Sequence, residues 1–294
     1  MRGDERIMTF EELNAKIQNL SNLPNVENFI LGYSTLGQPI HGFHLGNYDG
    51  KQIIIEGGIH AREYPASLVV VGITEYLSTQ TLNGGIYVIP LVNPDGARLV
   101  LDGLDFVPCQ KLKDYLLHIN DGSLDFSQWK ANAMAVDLNV NFSALWGEGS
   151  QNVFCPAPGN FIGYYPDSER EVRQMIEFTY AVNPSLTLSF HTKGEVIFYG
   201  FETLTPEEIK RDEEIANLIS SINGYIPTKT VASVGGYSDW VSKYLKVPAF
   251  TIEIGPSTAP TPVPLEYLPD AIEKNKTVPK ELLNYINITS QKSR

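Results

Sequence analysis

The stretch EGGIHAREYP, residues 56–65, places a histidine, His60, and a glutamate, Glu63, three residues apart at the end of an apolar run. Imidazole nitrogens and carboxylate oxygens are donors that catalytic zinc takes, using three protein ligands and keeping one position open for water. Zinc makes that water acidic enough to attack a carbonyl group near neutral pH. A three-residue gap between His and Glu is common by chance, so for this pair alone a polar loop remains an equally simple interpretation.

A third ligand is needed, and His191 is the best candidate among the five histidines. Like His60, it comes at the end of an apolar run that is typical of a buried strand. The remaining histidines are interpreted as ordinary structural or surface residues, because they lie in an early strand pair or in a helical or loop stretch. These are His41, His44 and His118.

Two acidic residues strengthen the hypothesis of a metal centre. Glu253, in FTIEIG, ends a buried β-run, where a charge is costly unless it has a function. Asp137, in AVDLNVNF, is a candidate acceptor for the second ring N–H of a ligating histidine. Together with His60, Glu63 and His191, these carboxylates favour a metal site over a polar loop.

The elements that must position these residues are predicted from hydrophobic periodicity. An antiparallel strand pair is expected in FILGYSTLGQPIHGFHLG, joined around Leu36 and Gly37. Five buried strands are expected in QIIIEGG, IYVIPLVNPDG, SLTLSFH, EVIFYG and PAFTIEIG. Helices are expected over residues 9–20 and in PASLVVVGITEYL, SEREVRQMIEFTYAV, with a Ser168/Glu171 capping box, and PEEIKRDEEIANLISSI.

Strands that alternate with helices predict an α/β fold with a mixed, mostly parallel sheet covered by helices on both faces. We expect a single domain, because no Pro/Gly/Ser-rich segment interrupts the chain of 294 residues. We expect residues 1–27 to form an N-terminal leader and helix of that domain, and residues 28–294 to form its catalytic part. Ligands of such sheets bind outside the carboxyl ends of the strands, where His60, His191 and Glu253 fall.

Composition limits the classes of partner. The formal net charge of −12, without clusters of Lys and Arg, argues against a nucleic-acid binder.

No segment approaches the ~18 apolar residues of a membrane span, and the first residues lack a signal-peptide pattern, so we predict a cytoplasmic protein without membrane insertion. Action outside the cell stays open, since an exported chain without its signal has the same pattern. Two cysteines, Cys109 and Cys155, suit a reducing compartment, with one disulfide as the alternative.

Six segments of the chain resemble those of a known family, both in their residues and in their order along the sequence. The chain resembles the zinc carboxypeptidase (M14) metallopeptidases over about residues 28 to 270. Within that family it is most similar to the bacterial γ-D-glutamyl-L-diamino acid endopeptidases, which trim peptidoglycan stem peptides, rather than to digestive carboxypeptidases. The segments are HAREYP, NPDG, WKANAMAVDLNVNF, SFHTKGEVIFYG, GGYSDW and TIEIG.

The resemblance implies a role for each candidate residue. His60, Glu63 and His191 match the ligands of one zinc ion per chain. Glu253 matches the general base that takes a proton from the attacking water and passes it to the leaving amine. Three further matches lie around the metal. Asp137 matches the carboxylate that accepts the second ring N–H of a histidine ligand, and Arg62 matches a cation that lines the substrate cleft. Lys130 stands where the family usually has an arginine that stabilises the oxyanion.

The chain departs from the family pattern where a carboxypeptidase recognises its substrate. Val140 stands in place of the arginine that clamps a terminal carboxylate, although Asn139 before it is retained. Val231 stands in place of a family tyrosine. Either a free C-terminus is not required, or another cation, Lys193 or Arg62, supplies the clamp.

The pocket for the leaving residue is expected to be small and polar. Ser238 in GGYSDW occupies the position that shapes this pocket in the family, and Tyr237 is a candidate wall or hydrogen-bond donor. Such a pocket fits a zwitterionic diamino acid. The leading hypothesis is therefore a zinc peptidase that cleaves the γ-D-glutamyl bond to a diamino acid in a peptide or muropeptide.

Two other functions are open. A metallocarboxypeptidase acting on L-peptides is the first, and Val140 and Val231 count against it. A non-catalytic protein that keeps zinc only to bind peptides is the second, and Glu253 counts against it, because a binder has no use for a proton shuttle.

Overall fold

A computed structural model of the chain describes residues 8–201, 204–231 and 233–292. One sheet of eight strands runs through this part of the chain, in the order β1-β2-β4-β3-β5-β8-β6-β7. The strands are β1 Val26–Tyr33, β2 Pro39–Gly46, β3 Gln52–Gly57, β4 Gly85–Ile89, β5 Leu186–Thr192, β6 Val196–Tyr199, β7 Ile226–Lys229 and β8 Ala249–Ile254.

The centre of the sheet is parallel and its edges are mixed. β4, β3, β5 and β8 pair in parallel, β1–β2, β2–β4 and β6–β8 pair antiparallel, and β6–β7 is again parallel. The predicted mixed, mostly parallel sheet is confirmed. β7 was not predicted, because IPTK is short and half-exposed at the sheet edge and carries no hydrophobic alternation.

Helices cover both faces of the sheet. The helices are α1 Phe10–Asn19, α2 Tyr64–Leu77, α3 Pro94–Asp102, α4 Gln110–Ile119, α5 Arg170–Val182, α6 Pro206–Asn223, α7 Tyr237–Leu245, α8 Leu268–Asn275 and α9 Val278–Lys292. One core cluster contains one face of β3 and β5 together with side chains from α1, α2, α6, α8 and α9. A second cluster contains side chains from α5 and α7. None of these described helices is long and apolar enough to span a membrane.

The N-terminal helix belongs to the main core. Phe10, Leu13 and Ile17 of α1 are buried in the first cluster, and Thr9 with Glu12 forms a capping box at its start. Of the predicted leader, residues 1–7 lie outside the described residues. Cys109 and Cys155, for which a disulfide was the open alternative, are both free and exposed.

One predicted capping box is wrong. α5 begins at Arg170, and the side chain of its cap residue Glu169 makes no capping bond. The Ser168 hydroxyl instead donates to Glu169 Oε1 at 2.8 Å, and Glu171 Oε1 accepts from the backbone N–H of Thr35 at 3.0 Å. Tertiary contacts to a distant turn therefore replace the local cap.

Alternation along the central strands separates core residues from site residues. On β5, Leu186, Leu188 and Phe190 pack into the first cluster, so the intervening residues, including Ser189 and His191, point to the opposite face. In the parallel register His191 is paired with Glu253 on β8, and Ser189 with Thr251. The sheet thus brings polar side chains from neighbouring strands together at one end.

Candidate metal centre

The three predicted ligands lie at the carboxyl ends of two adjacent strands, β3 and β5. His60 lies three residues beyond the end of β3, directly before the 3-10 helix Ala61–Glu63, and His191 is the penultimate residue of β5 rather than a loop residue after it. The chain bends after β3 at Gly58, where φ is +62° and an added Cβ would lie 2.2 Å from Ser67 Oγ. Only glycine fits this bend, which turns His60 and Glu63 towards β5.

The ligand atoms converge. His60 Nδ1 lies 3.0 Å from Glu63 Oε1, His191 Nδ1 lies 3.0 Å from Glu63 Oε2, and the two Nδ1 atoms are 3.1 Å apart. Tetrahedral donors held ~2.0–2.1 Å from zinc are about 3.3 Å from one another, close to these spacings. All three residues are buried.

This donor set fits a cation. Two imidazole nitrogens and a carboxylate face one another, and their lone pairs repel unless a proton or a metal ion lies between them. Burial raises the pKa of Glu63, but His60 and His191 outweigh it and hold that pKa well below its usual range, so the carboxylate stays ionised. Among the described residues, His60, Glu63 and His191 form the one group of donors with metal-binding spacing.

Asp137 and Lys130 lie behind His60. Asp137 Oδ1 is 3.4 Å from His60 Nε2, and its Oδ2 is 2.8 Å from Lys130 Nζ, which also donates to Asn160 Oδ1 at 3.0 Å. Asp137 is fully buried, and although burial raises its pKa, Lys130 and His60 keep it far below the usual value. A charged carboxylate here fixes the His60 tautomer that leaves Nδ1 free for a metal.

Glu253 lies next to the metal ligand His191 on the neighbouring strand. It is the penultimate residue of β8, paired in register with His191, and its carboxylate lines the cleft. Burial raises its pKa to about 8, opposed by the charge of His191. Its Oε2 atom is buried and makes no hydrogen bond within the part of the chain that the structure describes, so this oxygen is available to a water or a substrate amine.

Asn93 is a structural member of the site that the sequence prediction missed. Its Nδ2 donates to the carbonyls of Ile59 and Ala131 at 3.1 and 3.2 Å, and its Oδ1 accepts from Gly96 N at 3.0 Å. It therefore ties together the segments that carry His60 and Lys130. The sequence prediction placed NPDG at the end of the strand segment IYVIPLVNPDG, but Asn before Pro is also the pattern of a helix N-cap, and α3 begins there.

A cleft of about 450 Å³ opens above the metal centre and extends between β8, α7, the loop after β6 and the loop residues 149–152. The predicted substrate-binding residues Arg62, Asn139 and Ser238 line it, as do Lys130 and Val140. Its size suits one or two residues of a peptide.

The structure corrects the role predicted for Tyr237. Its side chain is fully buried beneath the cleft, and its hydroxyl lies 2.8 Å from Thr179 Oγ1 on α5. It packs against Phe142 in the second core cluster, so it neither walls the pocket nor offers a donor to a substrate. Asn139, in contrast, helps to form the cleft floor by accepting from the Tyr237 backbone N–H at 3.0 Å.

The cations considered as alternative clamps differ in position. Arg62 lines the cleft and donates from Nη1 to the carbonyl of Gln128 at 3.2 Å. The Lys193 ammonium donates to the carbonyl of Ala259, and Lys193 is not a lining residue of the cleft. Arg62 is thus the candidate with access to a substrate.

Comparison with known proteins identifies the family. The family model for zinc carboxypeptidase, peptidase M14, matches residues 13–278. The chain belongs to the zinc carboxypeptidase family. This confirms the resemblance found in the sequence, and it makes zinc the metal for which the donor set of His60, Glu63 and His191 is suited.

Individual relatives and solved structures support the same family assignment and the same fold. Gamma-D-glutamyl-L-diamino acid endopeptidase 1 of Lysinibacillus sphaericus is 34% identical over 257 residues, 82% of this chain, and the chain spans 63% of that protein's length. The structure of bovine thrombin-activatable fibrinolysis inhibitor with tick carboxypeptidase inhibitor superposes with a TM-score of 0.74 at 19% identity, covering 97% of this chain and 99% of that one. Murein-tripeptide amidase MpaA from Escherichia coli O157 gives 0.57 at 23% identity, covering 88% and 92%. The structural likenesses confirm the predicted fold.

Proposed function

We propose that the chain is a zinc-dependent peptidase that hydrolyses the γ-D-glutamyl bond to a diamino acid in peptidoglycan stem peptides. The observation that carries the catalytic part is the convergence of His60, Glu63 and His191 within 3.1 Å of one another, beside the buried carboxylate of Glu253. These are the parts needed for metal-assisted hydrolysis of an amide.

His60, Glu63 and His191 would hold the zinc ion, which when bound would polarise the scissile carbonyl and acidify the attacking water. Glu253 accepts the proton of that water through its unpaired Oε2 and then donates it to the nitrogen of the leaving amine. Because burial raises the pKa of Glu253, the carboxylate binds this proton more readily than an exposed glutamate does.

Lys130 supplies positive charge where the carbonyl oxygen becomes negative. Its ammonium lines the cleft and is held by Asp137 and Asn160, so little reorganisation is needed during the reaction. Lysine offers a point charge rather than the planar fork of an arginine.

The substrate assignment is supported by Val140 and by the 34% identical endopeptidase. Val140 lines the cleft without a charge, so this position offers no clamp for a terminal carboxylate. Loss of a bidentate charge-assisted pair, ~1.5–3 kcal/mol, lowers affinity for a free C-terminus by about ten- to a hundredfold.

Removal of C-terminal residues from L-peptides is the second candidate function, and Arg62 favours it. Its guanidinium is within the cleft and is the cation that could bind a terminal carboxylate in place of the missing arginine.

Product analysis separates the two candidates. The zinc-loaded protein is incubated with defined muropeptides and with L-peptides, and the products are read by mass spectrometry. Release of the diamino acid part from the γ-D-glutamyl residue is expected. Release of single C-terminal residues from L-peptides, with muropeptides left intact, would replace the proposal by the second function.

A further inference from the structure

The ammonium group of Lys130 is largely occupied by its protein partners. Its Nζ atom lies 2.8 Å from Asp137 Oδ2 and donates to Asn160 Oδ1 at 3.0 Å. An ammonium group has three protons, so these two contacts leave one proton for a substrate. An arginine at this position would present the several N–H groups of its planar fork. Lysine therefore leaves a developing oxyanion with fewer donors than an arginine does.

The carboxamide of Asn160 has only one possible orientation. Because an ammonium group donates and never accepts, the atom that faces Lys130 Nζ must be the carbonyl oxygen Oδ1. The amino group Nδ2 therefore points elsewhere, and it makes no hydrogen bond to any residue that the structure describes. Asn160 lines the cleft, so these N–H groups are available to a bound substrate.

The backbone of Asn160 is held from two sides. Its N–H donates to Asp137 Oδ2 at 2.9 Å, and its carbonyl accepts from the Val153 N–H at 2.9 Å. Its φ of +64° lies in the left-handed region, which asparagine adopts more readily than most residues. A donor fixed in this way needs little reorganisation during a reaction.

One oxygen atom can accept from both Lys130 and Asn160. The oxygen and nitrogen of a carboxamide are about 2.2 Å apart, so Asn160 Nδ2 lies at most about 5.2 Å from Lys130 Nζ. Two donors at that separation can both lie ~2.9 Å from a single oxygen between them. The two side chains can therefore converge on the carbonyl oxygen for which Lys130 is proposed.

That oxygen becomes negative during hydrolysis. When water adds to the carbonyl carbon, the π electrons of the C=O bond move to the oxygen, and they return when the bond to the leaving amine breaks. We infer that Asn160 is a catalytic residue whose Nδ2 donates to this oxyanion beside Lys130. A lysine and an asparagine together then take the place of one arginine fork. The inference rests on the proposed hydrolytic function.

Two variants of Asn160 test the inference. Asn160→Gly removes the carboxamide and tolerates the left-handed backbone, whereas Asn160→Asp keeps an acceptor for Lys130 but has no N–H to donate. For each zinc-loaded protein, kcat and KM are measured on the muropeptide or L-peptide that the parent cleaves. In both variants kcat should fall at least ~10-fold and KM should change less than ~3-fold, because the donor acts on the transition state. Asn183→Gly, an exposed asparagine with a φ of +48°, is the control and should keep parental values.

A second substitution separates donation from a merely structural role. The fork of an arginine supplies more than one donor, so the fall in kcat caused by Asn160→Gly should be at least ~3-fold smaller in a Lys130→Arg background. A structural role for Asn160 predicts the same fall in both backgrounds. Zinc content and melting temperature are measured for every variant.

The outcomes distinguish the inference from the proposed function. A parental kcat in either Asn160 variant would overturn the inference and leave the γ-D-glutamyl proposal standing, and so would an equal fall in both Lys130 backgrounds. Cleavage of L-peptides alone would overturn the proposed substrate, and the same kinetics on those peptides would still decide the role of Asn160. A zinc-loaded parent that cleaves neither substrate would overturn both.

Discussion

The ammonium of Lys130 lies 2.8 Å from the Asp137 carboxylate, whose other oxygen is 3.4 Å from His60 Nε2. One buried carboxylate therefore serves both a ligand of the metal and the cation proposed for the oxyanion. Because Asp137 is fully buried, its charge is stabilised by these two partners and by the backbone N–H groups of Asn139 and Asn160, which donate to it at 3.1 and 2.9 Å.

Replacement of Asp137 tests its action on the metal. Asp137→Asn keeps the shape but removes the charge that holds the His60 tautomer, so zinc affinity should fall about 10- to 100-fold. Chelator competition measures this, with Asp125→Asn, an exposed aspartate, as the control. A zinc affinity equal to that of the parent would show that Asp137 does not support the ligand.

Asn93 should be important for stability as well as for the site. Asn93→Ala removes three hydrogen bonds and leaves the buried carbonyls of Ile59 and Ala131 without this partner. The expected loss is about 2–4 kcal/mol in the free energy of unfolding, measured by urea denaturation. Asn28→Ala, at an exposed position on β1, should change it by less than about 0.5 kcal/mol. A similar small effect at Asn93 would mean that other contacts hold the two loops.

Stability should depend on pH through Glu171. Burial raises the pKa of this carboxyl to about 7, from an ordinary value of 4.5. Between these values the folded chain binds the proton and the unfolded chain does not, so the stabilisation is complete below pH 4.5 and is lost as the pH rises to about 7.

The free energy of unfolding should therefore fall between pH 5 and pH 8 by about 2 kcal/mol more in the parent than in Glu171→Gln. Denaturant titrations at both pH values measure the difference. Glu177→Gln, on the exposed side of the same helix, should behave like the parent. Equal pH dependence of parent and Glu171→Gln would exclude the buried carboxyl as its source.

Much of the fold was predictable from sequence, because its central strands are apolar runs. QIIIEGG, SLTLSFH and PAFTIEIG are found as β3, β5 and β8, and their carboxyl ends meet as expected for parallel strands. The Ser168/Glu171 capping box failed because a local pattern does not show that Glu171 binds a turn 136 residues away. Long-range contacts of this kind are invisible to local periodicity.

The site residues were predictable where they lie at the ends of strands or match motifs of the family. Spacing pointed to His60, Glu63, His191 and Glu253, and the structure brings them together. The role of Tyr237 was predicted wrongly because, on the first turn of α7, Tyr237 faces the core whereas Ser238 faces the cleft, and the sequence did not show which side of the helix each would occupy.

Val140 separates the two enzyme functions. If no terminal clamp exists, Val140→Arg should increase kcat/KM for L-peptides with free carboxylates and leave their amides unaffected. If Arg62 is the clamp, a second cation in the cleft is repelled by it, and activity on free acids should fall. The measurement is kcat/KM on matched free-acid and amidated substrates. A parent that already prefers the free acid more than about tenfold, ~1.4 kcal/mol, would contradict relaxed recognition of the C-terminus.

The most direct test of hydrolysis at this centre is the turnover number of Glu253→Gln. Glutamine has the shape of glutamate but carries no proton from water to amine, so kcat should fall at least ~100-fold with zinc still bound at one ion per chain. Glu266→Gln, an exposed glutamate beyond β8, is the control and should keep parental kcat. A kcat near that of the parent in zinc-loaded Glu253→Gln would contradict the assignment of Glu253 as the base.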